Sequence, residues 1–204
     1  MIKKLAVLIS GNGSNLQAII NSTKDGILKD VAKIAVVISS NPDAYGLERA
    51  KQAGLKAVAL DYKNMPKEQY DEEVYRHIKE SGADLVCLAG YLRKISHKII
   101  SEYKSKILNI HPALLPKYGG KGMYGHHVHE AVVKNKEKKS GATVHFVDDD
   151  YDTGYIIMQK EVFLNEDESH EDVAKKVLVV EHEIFPQAIK KAIENEQKKT
   201  NKDK

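Results

Sequence analysis

The residues best suited to chemistry stand in three places. Ser10-Gly11-Asn12-Gly13-Ser14-Asn15 joins an apolar run to an amphipathic one. Glycines there let the backbone approach an anion, and a helix N-terminus beyond them offers free N–H groups and a favourable dipole. The dinucleotide pattern G-x-G-x-x-G breaks at Leu16, and Ser39-Ser40-Asn41 stands where an acidic ribose ligand belongs. The G-K-[ST] of a P-loop is also missing. A monophosphate pocket, of the kind that holds a phosphosugar, is the reading that remains; a tight turn without a ligand is the alternative.

Leu108-Asn109-Ile110-His111-Pro112 is the second place. In a strand, Asn109 and His111 share a face, and ligands of open α/β sheets bind beyond the carboxyl ends of strands. An amide beside an imidazole suits oxyanion stabilisation and proton transfer; a histidine merely capping a strand is the competing view. The third place is Asp148-Asp149-Asp150-Tyr151-Asp152-Thr153-Gly154, where a single carboxylate facing His111 would orient its ring. A calcium loop is excluded, because Thr153 takes the sixth position where glycine is needed and Gln159 the twelfth. His126, His127 and His129 lack an H-E-x-x-H frame or a cysteine partner, so no metal is expected. Glu181, in Glu181-His182-Glu183, lies on the last helix within reach of a substrate amine or hydroxyl.

The elements that must carry these groups alternate. Apolar runs at Leu5–Ile9, Ile34–Ile38, Ala57–Leu60, Asp84–Ala89 and Ile107–Ile110 read as strands. Helical stretches come between them: one after the glycine turn, capped by Ser14 or Asn15, then Ala44–Ala53, Pro66–Ser81 and His97–Tyr103. Repeated strand–helix units predict an α/β fold, a doubly wound and mostly parallel sheet with helices on both faces. Pro112 to Gly125 is too rich in breakers to form an element, and such loops are usually functional. Ala142–Val147 and Tyr155–Leu164 predict an antiparallel C-terminal extension, and a long helix follows from Ser169, kinked or interrupted at Pro186. One domain over residues 1–196 is expected, with a disordered basic tail over 197–204.

The composition agrees with that frame. The 204 residues are 42% hydrophobic and 30% charged, with a net charge of +3, too near balance to call for nucleic acid. No apolar run exceeds about five residues, far short of a membrane span. No signal peptide is visible, and the lone Cys87, inside an apolar run, fits a reducing, cytoplasmic setting.

Taken together, Ile9 to Leu16, Leu88-Ala89-Gly90-Tyr91-Leu92-Arg93, Leu108 to Pro112 with Leu114-Leu115-Pro116, Val144-His145-Phe146-Val147, Asp152-x-Gly154 and Glu181-His182 resemble the glycinamide ribonucleotide formyltransferases. The order and spacing match over essentially the whole chain. The resemblance implies a Rossmann-like formyltransferase fold and transfer of a formyl group from 10-formyltetrahydrofolate, the cosubstrate, to a ribonucleotide amine in purine synthesis. It implies Asn109, His111 and Asp152 as the catalytic trio, with Asp152 raising the pKa of His111. Gly13, Ser14 and Asn15 would hold the ribonucleotide phosphate, and Glu181 its glycinamide end. Lys67, Leu92, Arg93, Lys94, Ile95, Asn109 and the turn Asp148, Asp149, Asp150, Tyr151, Asp152 would line the folate pocket.

Two positions depart from that pattern: Lys67 where the family often carries Arg, and Leu178 where a Gln commonly assists Glu181. The partners implied are small molecules, with no nucleic acid or membrane, for a monomer or homodimer. A formyltetrahydrofolate hydrolase would carry an N-terminal regulatory domain, a methionyl-tRNA formyltransferase a C-terminal barrel. A non-catalytic phosphosugar or folate sensor would have no need of the trio.

Overall fold

The computed structural model describes residues 1–202, with side chains through 198. Seven strands, β1 (Lys3–Ile9), β2 (Ala32–Ser39), β3 (Ala57–Ala59), β4 (Leu85–Leu88), β5 (Ile107–His111), β6 (Lys139–Phe146) and β7 (Ile156–Phe163), form one sheet in the order β3-β2-β1-β4-β5-β6-β7. The first five pair in parallel. β6 and β7 add antiparallel strands at one edge. This is the doubly wound sheet with an antiparallel extension that the alternation of elements predicts.

Strand periodicity splits the core in two. From β1, Leu5, Val7 and Ile9 point to one face, where they meet Leu16, Ile19 and Ile20 of α1 (Ser14–Asp25) and the Val173-to-Ile193 stripe of α6 (His170–Lys202). Ala6 and Leu8 point to the other face. There Tyr70, Val74 and Ile78, spaced by four along α3 (Lys67–Ser81), and Ile99 and Ile100 of α4 (His97–Glu102) close over the sheet. Each β1 side chain of these two sets is completely buried. At roughly 1.5–3 kcal/mol per buried Leu, Val or Ile, β1 is a principal source of stability.

Because α1 and α3 lie on opposite faces, the sheet is wound in both directions and a crevice opens at the carboxyl ends of its neighbouring central strands β1 and β4. The glycine turn leaves β1 there, and the segment Gly90–Ile95 leaves β4.

Several local expectations change. α1 is capped not by Ser14 or Asn15 but by Gly13, in the left-handed region at φ +74, with no side-chain cap bond. A short helix, α5 (His126–Lys134), follows the Pro- and Gly-rich loop; its inward stripe of Val128 and Val132 is the signal that revealed it too weakly. Between β2 and β3 lies α2 (Tyr45–Gln52). α6 carries Pro186 inside a continuous helix instead of breaking there. It also continues through residue 202, so the stretch expected as a tail from 197 is helical as far as that; residues 203–204 lie outside the described residues.

Candidate active site

The glycine turn is built by a close approach of two backbones. A Cβ on Gly13 would fall 2.6 Å from the Cα of Gly46, in the first turn of α2. The Gly46 N–H donates to the Gly11 carbonyl at 3.1 Å. Arg49 braces the turn from outside, its Nε donating to the Asn12 carbonyl at 2.9 Å and a terminal nitrogen to Asn12 Oδ1 at 3.0 Å. With no side chain capping α1, its first N–H groups stay open to an anion.

Asn15 lines the cleft with the rest of the turn, while its side chain bonds away from it. Its side chain is buried and Nδ2 donates to Glu181 Oε2 at 3.1 Å, across to α6, while Asn15 Oδ1 is buried without a partner. Burial pushes the Glu181 carboxyl up to about 7, against the downward pull of Asn15. Glu181 is therefore poised between its neutral and charged forms near neutral pH.

The trio converges. Asn109 and His111 lie two apart on β5, and β6 sets His145 directly opposite Asn109. Asp152 enters from the β6–β7 connection at φ +57, a conformation Asp tolerates better than most residues. Its Oδ2 lies 3.7 Å from His111 Nδ1 and accepts the Gly120 N–H at 2.9 Å. Its Oδ1 accepts from Asn109 Nδ2 at 3.5 Å and lies 3.4 Å from His145 Nε2.

Two ring tautomers follow from carbonyl partners, which only accept. His111 Nε2–H donates to the Tyr118 carbonyl at 2.7 Å, and His145 Nδ1–H donates to the Phe146 carbonyl at 2.8 Å. His145 Nε2 is then the acceptor for Asn109 Nδ2 at 3.1 Å, which turns the amide nitrogen, not its oxygen, toward the trio. His145, which the sequence offers only inside a motif without a role, joins the trio in the cleft. Its only signal was alternation on β6, which gives no partner.

The electrostatics differ from the expectation in one respect. Burial pushes His111 below the usual histidine range, although the Asp152 carboxylate and the Tyr118 carbonyl pull it upward. For Asp152, burial works against the charge, yet His111 and the Gly120 N–H hold its carboxyl below the usual range.

The segment after β4 forms the opposite wall. Ser10 Oγ accepts the Leu92 N–H at 2.9 Å and pairs with Ser40 Oγ at 2.6 Å. The buried Tyr70 and Tyr91 hydroxyls pair at 2.7 Å. These bonds fix Leu92 to Ile95 against β1 and α3. The Arg93 guanidinium lies 4.0 Å from the Tyr62 ring centroid, and Lys94 lies 5.3 Å from that of Tyr151.

A single cavity of about 810 Å3 connects all of this: the Gly13–Asn15 turn, Leu92–Ile95, Asn109, His111, His145, Asp148, Asp150, Tyr151, Asp152, Leu178 and Glu181. Two expected residues stay outside it. Lys67 points to solvent and pairs with Asp71 one turn along α3. Asp149, exposed at the loop tip, pairs with His97 Nδ1 at 2.7 Å. The turn is pinned instead by Thr153, whose hydroxyl donates to Asp148 at 2.8 Å. The histidines of α5 separate: His129 is buried against the cleft, whereas His126 and His127 remain exposed.

Chemically, the cleft offers an anion subsite at one end and an apolar slot with aromatic–cation contacts at the other. Between them stands an amide–imidazole–carboxylate group suited to a carbonyl becoming tetrahedral. Comparison with known proteins adds to this picture. The family model described as formyl transferase matches residues 3–189. A phosphoribosylglycinamide formyltransferase of Escherichia coli (strain K12) is 41% identical over 91% of this chain and 84% of its own length. A trifunctional purine biosynthetic protein of Drosophila melanogaster is 42% identical over 92% of this chain, which spans 14% of that protein. The crystal structure of glycinamide ribonucleotide transformylase 1 from Symbiobacterium toebii superposes with a TM-score of 0.87 at 37% identity, covering 95% of this chain and 89% of that one.

Proposed function

The chain belongs to the formyl transferase family, and from that premise we propose that it moves the formyl group of 10-formyltetrahydrofolate onto the amine of 5'-phosphoribosylglycinamide. The products are formylglycinamide ribonucleotide and tetrahydrofolate, in the de novo synthesis of the purine nucleotide IMP. The observation that carries this reading is that Asn109, His111 and Asp152 share one cavity with the glycine turn. The phosphate of the acceptor would lie on the α1 N-terminus and the pterin in the slot beside Leu92–Ile95. The two reactants would meet at the trio.

In this reading the acceptor amine attacks the formyl carbon, and the carbonyl oxygen takes up negative charge. Asn109 Nδ2 donates to that oxygen, and the long 3.5 Å bond to Asp152 is the one given up for it. His145 keeps the amide oriented while this happens. The His111 Nε2–H that meets the Tyr118 carbonyl in the free chain turns to the oxygen of the intermediate, and Asp152, facing Nδ1 at 3.7 Å, holds the ring in place. Collapse breaks the bond to the folate nitrogen, and the proton lost by the amine ends on that nitrogen. Pre-set donors of this kind contribute about 3–4 kcal/mol each to lowering a barrier.

Among the described residues no helix is long and apolar enough to cross a membrane, and we assign the protein to the cytoplasm with small molecules as its partners. The test is to supply a donor labelled in the formyl carbon, with and without the ribonucleotide. Label should appear on the ribonucleotide. Release of free formate without the acceptor would assign a hydrolase instead, and binding of both ligands without turnover a sensor.

A further inference from the structure

His129 is 6% exposed, lines the cleft from α5 and, among the described residues, forms no hydrogen bond through either ring nitrogen; Nδ1 is shut off from solvent. A buried polar group without a partner is uncommon and asks for a reason. The ring lines the same cavity as Gly13–Asn15 and Glu181. The charged and titratable groups that face it are His126 from its own helix, His111 from the end of β5 and His170 from the start of α6. Burial, reinforced by those three rings, pushes His129 down to about 4, so it is neutral at physiological pH.

A neutral imidazole carries one proton. Left on the shielded, partnerless Nδ1 it would be a buried donor with nothing to meet, so it belongs on Nε2, the nitrogen left to face a ligand. The surroundings select an acceptor of negative charge. Lys175 lines the same cavity. Glu181, the carboxyl there, is itself pushed toward neutrality. Meanwhile the glycine turn lacks a free cation, since Arg49 is engaged by Asn12 and by Gln17.

We infer that His129 is a further binding residue, donating a neutral Nε2–H to an oxygen of the phosphomonoester held by the glycine turn; this rests on the ribonucleotide reading above. The probe is D-ribose 5-phosphate, titrated calorimetrically into the full chain and into His129→Leu and His129→Gln, with D-ribose as the control. Glutamine places an amide N–H near the Nε2 position. A hydrogen bond to a charged oxygen is worth roughly 10- to 100-fold in affinity. His129→Leu should therefore lose about that factor for ribose 5-phosphate, His129→Gln should recover most of it, and D-ribose should bind all three alike.

Should His129→Leu fail to fold, His129→Asn, whose amide reaches only the Nδ1 position, replaces it with the same expected loss. Equal ribose 5-phosphate affinity in wild type and His129→Leu or His129→Asn overturns the inference, as does loss without rescue by glutamine. The two readings fail separately. Formyl transfer with unaltered phosphate affinity in the variants overturns only the role of His129. His129-dependent phosphate binding without formyl transfer upholds that role and overturns the reaction.

Discussion

Glu181 gives the account a thermodynamic handle that needs no substrate. Its carboxyl is 7% exposed and pushed from 4.5 up to about 7, because burial disfavours the charged form more than the Asn15 bond favours it. Below pH 4.5 the group is protonated in the folded and unfolded chains alike and has no effect on stability. Between 4.5 and about 7 the unfolded chain releases a proton that the folded chain keeps, so stability falls as pH rises. Above about 7 the full penalty is present. At roughly 1.4 kcal/mol per pH unit, that interval amounts to about 3 kcal/mol.

Glu181→Gln removes the titration and keeps the shape. Its amide can also donate to Asn15 Oδ1, which is buried without a partner. Urea unfolding of both proteins should show the variant gaining on wild type from pH 5 to pH 8.5, reaching an advantage about 2.5 kcal/mol larger at the upper end. A difference that stays constant over that range would refute the reasoning, since packing and hydrogen bonding alone do not change with pH.

Other perturbations separate the parts of the site. Gly13→Ala places a Cβ at φ +74 and 2.6 Å from Gly46 Cα, and should lower the unfolding free energy in urea by about 2 kcal/mol or more while abolishing ribose 5-phosphate binding. Asp152→Asn removes the carboxylate that pulls His111 upward, so the His111 ring should titrate at lower pH by NMR than in wild type, and formyl transfer should fall by about 100-fold or more. Lys67→Ala should leave the KM for the folate donor within about two-fold, because Lys67 makes an exposed pair with Asp71 outside the cleft. Cys87, buried and pushed up to about 12, should resist a thiol reagent until the chain unfolds.

The sheet was legible in the sequence wherever a fully buried strand left a continuous apolar run, as at Leu5–Ile9, since such a run suits burial on both faces. α5 was less visible. Val128 and Val132 are only two inward positions, and the breakers from Pro112 to Gly125 dominate their neighbourhood. Asn109 and His111 could be set on one face by alternation alone, because that property is local to β5. The role of His145 could not, since it depends on the register of β6 against β5. The same limit explains Lys67 and Asp149: the resemblance implies folate contacts, but an available carboxylate or imidazole nearby takes each side chain away from the cleft. The side-chain partner of Asn15 was equally out of sight, because it is a buried carboxyl 166 residues away.

The central claim is that the trio performs formyl transfer in this cleft. The direct measurement is the rate of donor deformylation by absorbance, using 10-formyl-5,8-dideazafolate with glycinamide ribonucleotide, for wild type and His111→Ala side by side. The account predicts turnover that requires the ribonucleotide and drops by about 100-fold or more in the variant, with both ligands still bound. Equal rates in the two proteins, or donor loss indifferent to the ribonucleotide, would contradict it.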